Sequence, residues 1–148
     1  MSEDQPKKLL LEITYAIEQL EEVSKKVSTL LPVHGMVFLE GHMGSGKTTL
    51  TRAILKQRGA IDPVNSPTFS IINTYHTNSG DTIFHADLYR IEEEAQLFQI
   101  GFEAYMDPEY LLFIEWPDRL KTLKPKDYYQ INLTTADDQT RILQLSSF

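Results

Sequence analysis

A chain of 148 residues with 41% hydrophobic and 24% charged side chains has material for about one domain with a real core, and its composition excludes collagen-like, coiled-coil and disordered classes. Its 14 Lys and Arg against 21 Asp and Glu leave a net charge of −7, so any contact with nucleic acid would need a local basic patch or a partner protein. Cysteine is absent, which removes disulfide scaffolds, cysteine nucleophiles and thiolate metal sites and fits a reducing compartment.

Residues Met1 to Lys8 are polar and of mixed sign, and the apolar run that follows, Leu9 to Leu11, is far shorter than the core of a secretory leader. No stretch approaches the ~18 apolar residues that span a bilayer. The expectation is a cytoplasmic protein forming one domain over 1–148, with no membrane association. Next, Ile13, Ala16, Ile17, Leu20, Val23, Val27 and Leu30 recur at three- and four-residue spacing, which predicts an amphipathic helix over about 11–31, ended before Pro32. The period then changes. Gly35 to Glu40 is a short apolar strand, a glycine-rich stretch follows, and Leu50, Ala53 and Ile54 mark a helix that begins near Lys47 and ends near Gly59.

Pro67 to Tyr75 and Thr82 to Leu88 are rich in β-branched and aromatic residues and flank a turn at 78–81, which predicts a hairpin. Glu92 to Met106 is expected to be helical with a break near Gly101, Leu111 to Glu115 a buried strand, and Pro117 to Leu123 a short helix opened by proline. Tyr128 to Leu133 and Thr140 to Leu145 predict a closing antiparallel pair. Strands alternating with helices early and pairing as hairpins late imply an α/β fold on a mixed sheet.

Residues 41–48, Gly41, His42, Met43, Gly44, Ser45, Gly46, Lys47 and Thr48, satisfy the phosphate-loop pattern G-x-x-x-x-G-K-[ST] between a strand and a helix. Glycines let successive N–H groups turn toward phosphate oxygens, the helix adds its N-terminal dipole, Lys47 reaches the β/γ-phosphates, and Thr48 ligates Mg²⁺. No Asn-Lys-x-Asp or Thr-Lys-x-Asp element for guanine is present, so the expected nucleotide is ATP. Asp87 and Glu115 each end an apolar strand, where ligands gather in open α/β sheets, and either could be the metal-side acid. The four histidines lack zinc spacing, and neither Ser45 nor Ser66 lies in a nucleophile elbow.

Beyond the loop, Val64 to Phe69 leading to Tyr75, then His85, Ala86, Asp87, Leu88, Tyr89 and Arg90, then Leu112 to Pro117 with Glu115 and Trp116, fall in an order and spacing that resemble the TsaE (YjeE) family over nearly the whole chain. These are bacterial P-loop ATPases of tRNA threonylcarbamoyladenosine biosynthesis. The resemblance implies a P-loop NTPase-like three-layer fold on a mixed, mainly parallel central sheet plus antiparallel strands. It also implies that Gly44, Ser45, Gly46, Lys47, Thr48 and Thr49 hold the phosphates, with Gly41, Met43, Thr14 and Trp116 as further residues of the nucleotide site. Thr48 and Glu115 would hold Mg²⁺, with Asp87 as a further magnesium or water-orienting carboxylate and Thr68 in a switch-like segment facing the γ-phosphate. The family pattern often has an acid where this chain has His42.

The activity so implied is Mg²⁺-dependent ATP hydrolysis, slow in the isolated chain, in support of a transferase complex of TsaB and TsaD homologues. tRNA would be met only through that complex, and DNA not at all. Two alternatives use the same loop. A small-molecule kinase would need an acceptor pocket and usually an arginine-rich lid, whereas the five arginines, Arg52, Arg58, Arg90, Arg119 and Arg141, are dispersed. A nucleotide-gated binding protein would need no hydrolysis for its function.

Overall fold

The short apolar runs assemble into one sheet in the computed structural model, which describes residues 6–61 and 71–148. In chain order the elements are β1 (Lys8–Ala16), a 3₁₀ turn (Ile17–Gln19), α1 (Leu20–Leu30), β2 (Gly35–Glu40), α2 (Lys47–Gln57), β3 (Ile72–His76) and β4 (Thr82–Asp87). There follow α3 (Glu94–Gln99), a 3₁₀ turn (Phe102–Met106), β5 (Leu111–Glu115), a 3₁₀ turn (Pro117–Arg119), β6 (Tyr129–Thr135) and β7 (Thr140–Ser147). The sheet has seven strands in the order β1-β7-β6-β2-β5-β4-β3. Its centre, β6-β2-β5-β4, is parallel, and its flanks, β1-β7-β6 and β4-β3, are antiparallel.

Both faces of the sheet are covered, so its central strands are apolar at successive positions rather than alternately. Val37, Leu39, Leu111, Phe113, Ile131 and Leu133 pack with Val23 and Val27 of α1 and Leu50, Ile54 and Leu55 of α2. Phe38, Phe84, Ala86, Leu112 and Ile114 face the other way, toward Leu97 of α3 and Phe102. The result is a three-layer α/β arrangement. Arg58 ties the α1–α2 layer together: its guanidinium donates to the Ser28 hydroxyl and to the carbonyls of Ser28, Leu31 and Pro32, satisfying acceptors left over where α1 ends.

The expected helix over 11–31 is corrected at its first half. Residues 8–16 form β1, which pairs with β7 from Lys8 opposite Ser147 to Ala16 opposite Thr140, and helix begins only at Leu20 after the 3₁₀ turn. Ile13 and Ala16 fit the helical spacing of the true stripe, Val23 and Val27, by coincidence. Leu11, Ile13 and Tyr15 fit a period of two as well, and the open edge of β7 decides between the two because it offers backbone partners only to an extended chain. Thr14, expected on that helix, therefore lies exposed on β1.

The segment after Pro117 is also less helical than expected. Its 3₁₀ turn stops at Arg119, because the Glu94 carboxylate draws off the N–H groups of Lys121, Thr122 and Leu123 and the Thr122 hydroxyl. Desolvation opposes charge on Glu94, but these donors outweigh it and hold its pKa down from 4.5 to about 2. A carboxyl with a depressed folded pKa stabilises the fold above its unfolded pKa, and that contribution is lost as pH falls through the folded value. Glu94→Gln is therefore expected to lower the melting temperature at pH 7, and its deficit against the parent protein should shrink between about pH 4.5 and pH 2 in a circular-dichroism melting series.

Strands β3 and β4 form the expected hairpin, with Ile72 opposite Ala86 and His76 opposite Thr82. The expected extension back to Pro67, and with it Ser66 and Thr68, lies outside the described residues. Among the described residues no helix is long and apolar enough to cross a membrane.

Candidate functional site

Because β2, β4, β5 and β6 are parallel, their carboxyl ends Glu40, Asp87, Glu115 and Thr135 reach the same edge of the sheet. From that edge the chain leaves β2 through residues 41–46 and enters α2 at Lys47. Two glycines make this passage possible. Gly46, directly before the helix, has φ +101, a conformation that L side chains rarely adopt. A Cβ on Gly41 would stand 2.6 Å from both the Leu133 carbonyl and the Ser45 hydroxyl, so the loop can press against β6 only without a side chain there. The first turn of α2 carries no acidic residue and no side-chain cap, leaving its N–H groups and dipole available to an anion.

The side chains around this helix start converge on a cavity of about 370 Å³. It is lined by Met43, Gly44, Gly46, Lys47, Thr48, Thr49, Asp87, Glu115 and Trp116, all named from the sequence, together with Tyr89. Lys47 is 7% exposed; its ammonium donates to the Gly41 carbonyl at 2.8 Å and lies 4.2 Å from the centre of the Trp116 ring. Trp116 reaches that position through a left-handed backbone, φ 60 and ψ 53, the one non-glycine residue with positive φ among the described residues. Such a conformation costs about 1–3 kcal/mol and tends to persist at functional positions. Tyr89 flanks the ring at 5.1 Å between centroids.

Glu115 is 4% exposed, and its Oε2 accepts hydrogen bonds from the Thr48 hydroxyl at 3.2 Å and from His85 Nε2 at 2.7 Å. Burial opposes its ionisation. The hydrogen bond from His85 and its electrostatic influence, the charge of Lys47 and the Thr48 hydroxyl outweigh that effect and hold the carboxyl below the usual range. Asp87 stands opposite Glu115 in the β4–β5 register, exposed at the cavity, with its Oδ1 accepting from the Tyr89 N–H at 3.0 Å. A hydroxyl and an ionised carboxylate within hydrogen-bond reach are hard oxygen donors that suit Mg²⁺, which typically takes one or two carboxylates and fills its remaining positions with water and phosphate. Among the described residues no group of three or more His, Cys, Asp or Glu is placed to hold a metal ion.

A second cavity of about 520 Å³ opens on the other side of the loop, where Gly44, Ser45, Gly46 and Thr49 meet Tyr15, Leu20 and Arg141. Arg141 Nε donates to the Ser45 carbonyl at 2.9 Å, bracing the loop from β7. Thr14 is not among the lining residues; its neighbour Tyr15 is. Tyr15, His85, Tyr89 and Arg141 are thus site neighbours that sequence reasoning did not single out. Only His85 and Tyr89 carried a signal, as parts of the 85–90 segment. His42, where an acid was the family expectation, joins its ring to the Met43 carbonyl and the Thr135 hydroxyl and so links the loop to β6.

Residues 14–143 match the model of the family described as "Threonylcarbamoyl adenosine biosynthesis protein TsaE". Among curated proteins, the chain is 33% identical over 129 residues to the tRNA threonylcarbamoyladenosine biosynthesis protein TsaE of Rickettsia felis, covering 86% of this chain and 74% of that one. It is 35% identical over 107 residues to the protein of the same name from Haemophilus influenzae, covering 72% and 67%, and 31% identical over 125 residues to that of Bacillus subtilis, covering 84% and 77%. Among solved structures, Bacillus subtilis YdiB superposes with a TM-score of 0.71 at 23% identity, covering 95% of this chain and 87% of that one, a likeness of fold.

Proposed function

The chain belongs to the TsaE family of threonylcarbamoyl adenosine biosynthesis proteins, and from that premise we propose that it is a Mg²⁺-dependent ATPase serving threonylcarbamoyl modification of adenosine in tRNA. The observation that carries this proposal is the convergence of Lys47, Thr48, Asp87 and Glu115 on one cavity at the start of α2. N–H groups of the loop and of the first turn of α2 receive the phosphates, and Lys47 exchanges its bond to the Gly41 carbonyl for a phosphoryl oxygen. Thr48 and Glu115 are the residues that would hold Mg²⁺, which when bound would neutralise charge developing on the phosphoryl oxygens. Asp87, exposed on the same edge, orients the attacking water or a water of the metal.

Among the described residues no arginine lines the 370 Å³ cavity, Arg119 standing 5.8 Å from the Trp116 ring centre, and we assign the charge of an arginine finger to a partner. Hydrolysis is accordingly slow in isolation and rises with a complex of TsaB and TsaD homologues, and tRNA is met through that complex. The cytoplasm is the compartment in which such a system works.

The test is to incubate the protein with ATP and Mg²⁺, with and without the TsaB–TsaD complex, and to resolve the products by thin-layer chromatography. ADP and free phosphate are expected, with faster release in the complex. Glu115→Gln should lower turnover by about 100-fold, in the range seen when one preorganised transition-state group is removed. A phosphorylated metabolite as the main product would establish a kinase instead, and full biological function in a hydrolysis-dead Glu115→Gln protein would establish a nucleotide-gated binder.

A further inference from the structure

We propose that His85 is a positioning residue for Glu115, holding its carboxylate in the orientation that lets it serve, with Thr48, as the Mg²⁺-side acid; this rests on the role given to Glu115 above. His85 lies on β4 and Glu115 on the neighbouring parallel strand β5, in a register that sets His85 opposite Phe113 and Asp87 opposite Glu115. His85 is thus one inward-facing position behind the sheet edge, below the site rather than in it, and it is not among the residues lining either cavity at the loop. It is 6% exposed and Glu115 4%, and the 2.7 Å Nε2–Oε2 contact is the shorter of the two hydrogen bonds that the Oε2 oxygen receives.

The physical consequence follows from which atoms are held. A glutamate side chain rotates about three bonds, and the Thr48 hydroxyl, itself a rotor, is a weak anchor at 3.2 Å. A ring fixed in the packed interior of β4 is a rigid one. By occupying Oε2 from the core side, His85 sets the plane of the carboxylate and hence where its other oxygen stands relative to Thr48. Partners of this kind behind a metal ligand are worth about 10–100-fold in metal affinity. A histidine kept only for packing would make no such difference.

The experiment measures binding rather than turnover. A fluorescent methylanthraniloyl-ATP is titrated into the full chain in excess EDTA, and then Mg²⁺ is titrated into the protein–nucleotide mixture, for the parent protein and for His85→Leu, His85→Asn, His85→Gln and Glu115→Gln. Leucine keeps an apolar side chain in the core, asparagine is too short to reach Oε2, and glutamine carries an amide donor at the position of Nε2. The half-saturating Mg²⁺ concentration is expected to rise about tenfold or more in His85→Leu and His85→Asn and less than about threefold in His85→Gln, with affinity in EDTA unchanged within about twofold. If His85→Leu fails to fold, His85→Asn is judged by the same two quantities. An unchanged Mg²⁺ requirement in the His85 variants, with a raised one in Glu115→Gln, overturns the positioning role alone. A parallel loss of affinity in EDTA overturns it in favour of packing. An unchanged requirement in Glu115→Gln overturns the assignment of Glu115 on which it rests.

Discussion

Replacement of Lys47 by alanine is expected to weaken ATP binding about 10–100-fold, because one charge-assisted hydrogen bond to phosphate is worth about 1.5–3 kcal/mol and each 1.4 kcal/mol is tenfold in affinity. The same variant should show almost no hydrolysis. The lone tryptophan supplies the readout: the Lys47 ammonium sits 4.2 Å from the Trp116 ring centre, so movement of that charge onto a phosphate changes the polarity at the indole. ATP should therefore alter the intrinsic fluorescence of the parent protein and leave that of Lys47→Ala nearly unchanged at the same concentrations. Lys47→Arg is expected to rescue poorly, since a planar guanidinium does not fit between the Gly41 carbonyl and the Trp116 face as a compact ammonium does. An unaltered ATP affinity in Lys47→Ala would remove the loop from the nucleotide site.

The largest expected loss of stability lies beneath the site. Phe113 is fully buried in the middle of β5, opposite Val37 of β2 on one side and His85 of β4 on the other. Phe113→Ala removes a ring from close-packed surroundings and leaves a cavity, at a cost of about 3–5 kcal/mol. For a chain of this size that corresponds to a fall in melting temperature of roughly 6–20 °C, measurable by calorimetry. Phe113→Leu keeps most of the volume and should cost about 1.5 kcal/mol or less. Because Phe113 is two residues before Glu115 on the same face of β5, Phe113→Ala is also expected to raise the Mg²⁺ requirement, whereas a distant core substitution such as Leu97→Ala, on the opposite face, should lower stability without that effect. Equal effects of the two on the Mg²⁺ requirement would show that the site does not depend on local support from β5.

Legibility in the sequence followed the range of the physics involved. The turn from β2 into α2 is a local device: glycines at 41, 44 and 46, Lys47 and Thr48 fall within one strand-to-helix passage, so spacing alone locates it. Asp87 and Glu115 were visible for a related reason, since an acid that closes a buried strand is carried to the sheet edge whatever the strand order. The helix expected over 11–31 failed where the pattern was ambiguous, because Leu11, Ile13 and Tyr15 satisfy a strand period as readily as Ile13 and Ala16 satisfy a helical one. The choice was made by the edge of β7, about 130 residues further along the chain.

The sequence by itself thus determined the glycine-rich strand-to-helix turn after β2, the two acids at strand ends and the α/β class, because each rests on hydrogen bonds and burial within a few consecutive residues. Only the tertiary structure decided which acid stands next to Thr48. That outcome required β5 to lie directly beside β2 while β4 lies one strand further out, bringing Glu115 to 3.2 Å from the Thr48 hydroxyl and leaving Asp87 exposed at the cavity. Tertiary structure likewise placed His85 against Glu115, and Arg141 against the loop from a strand nearly a hundred residues away. Strand order and register are set by the packing of the whole sheet against two helical layers, a sum of many weak contacts that no local pattern carries.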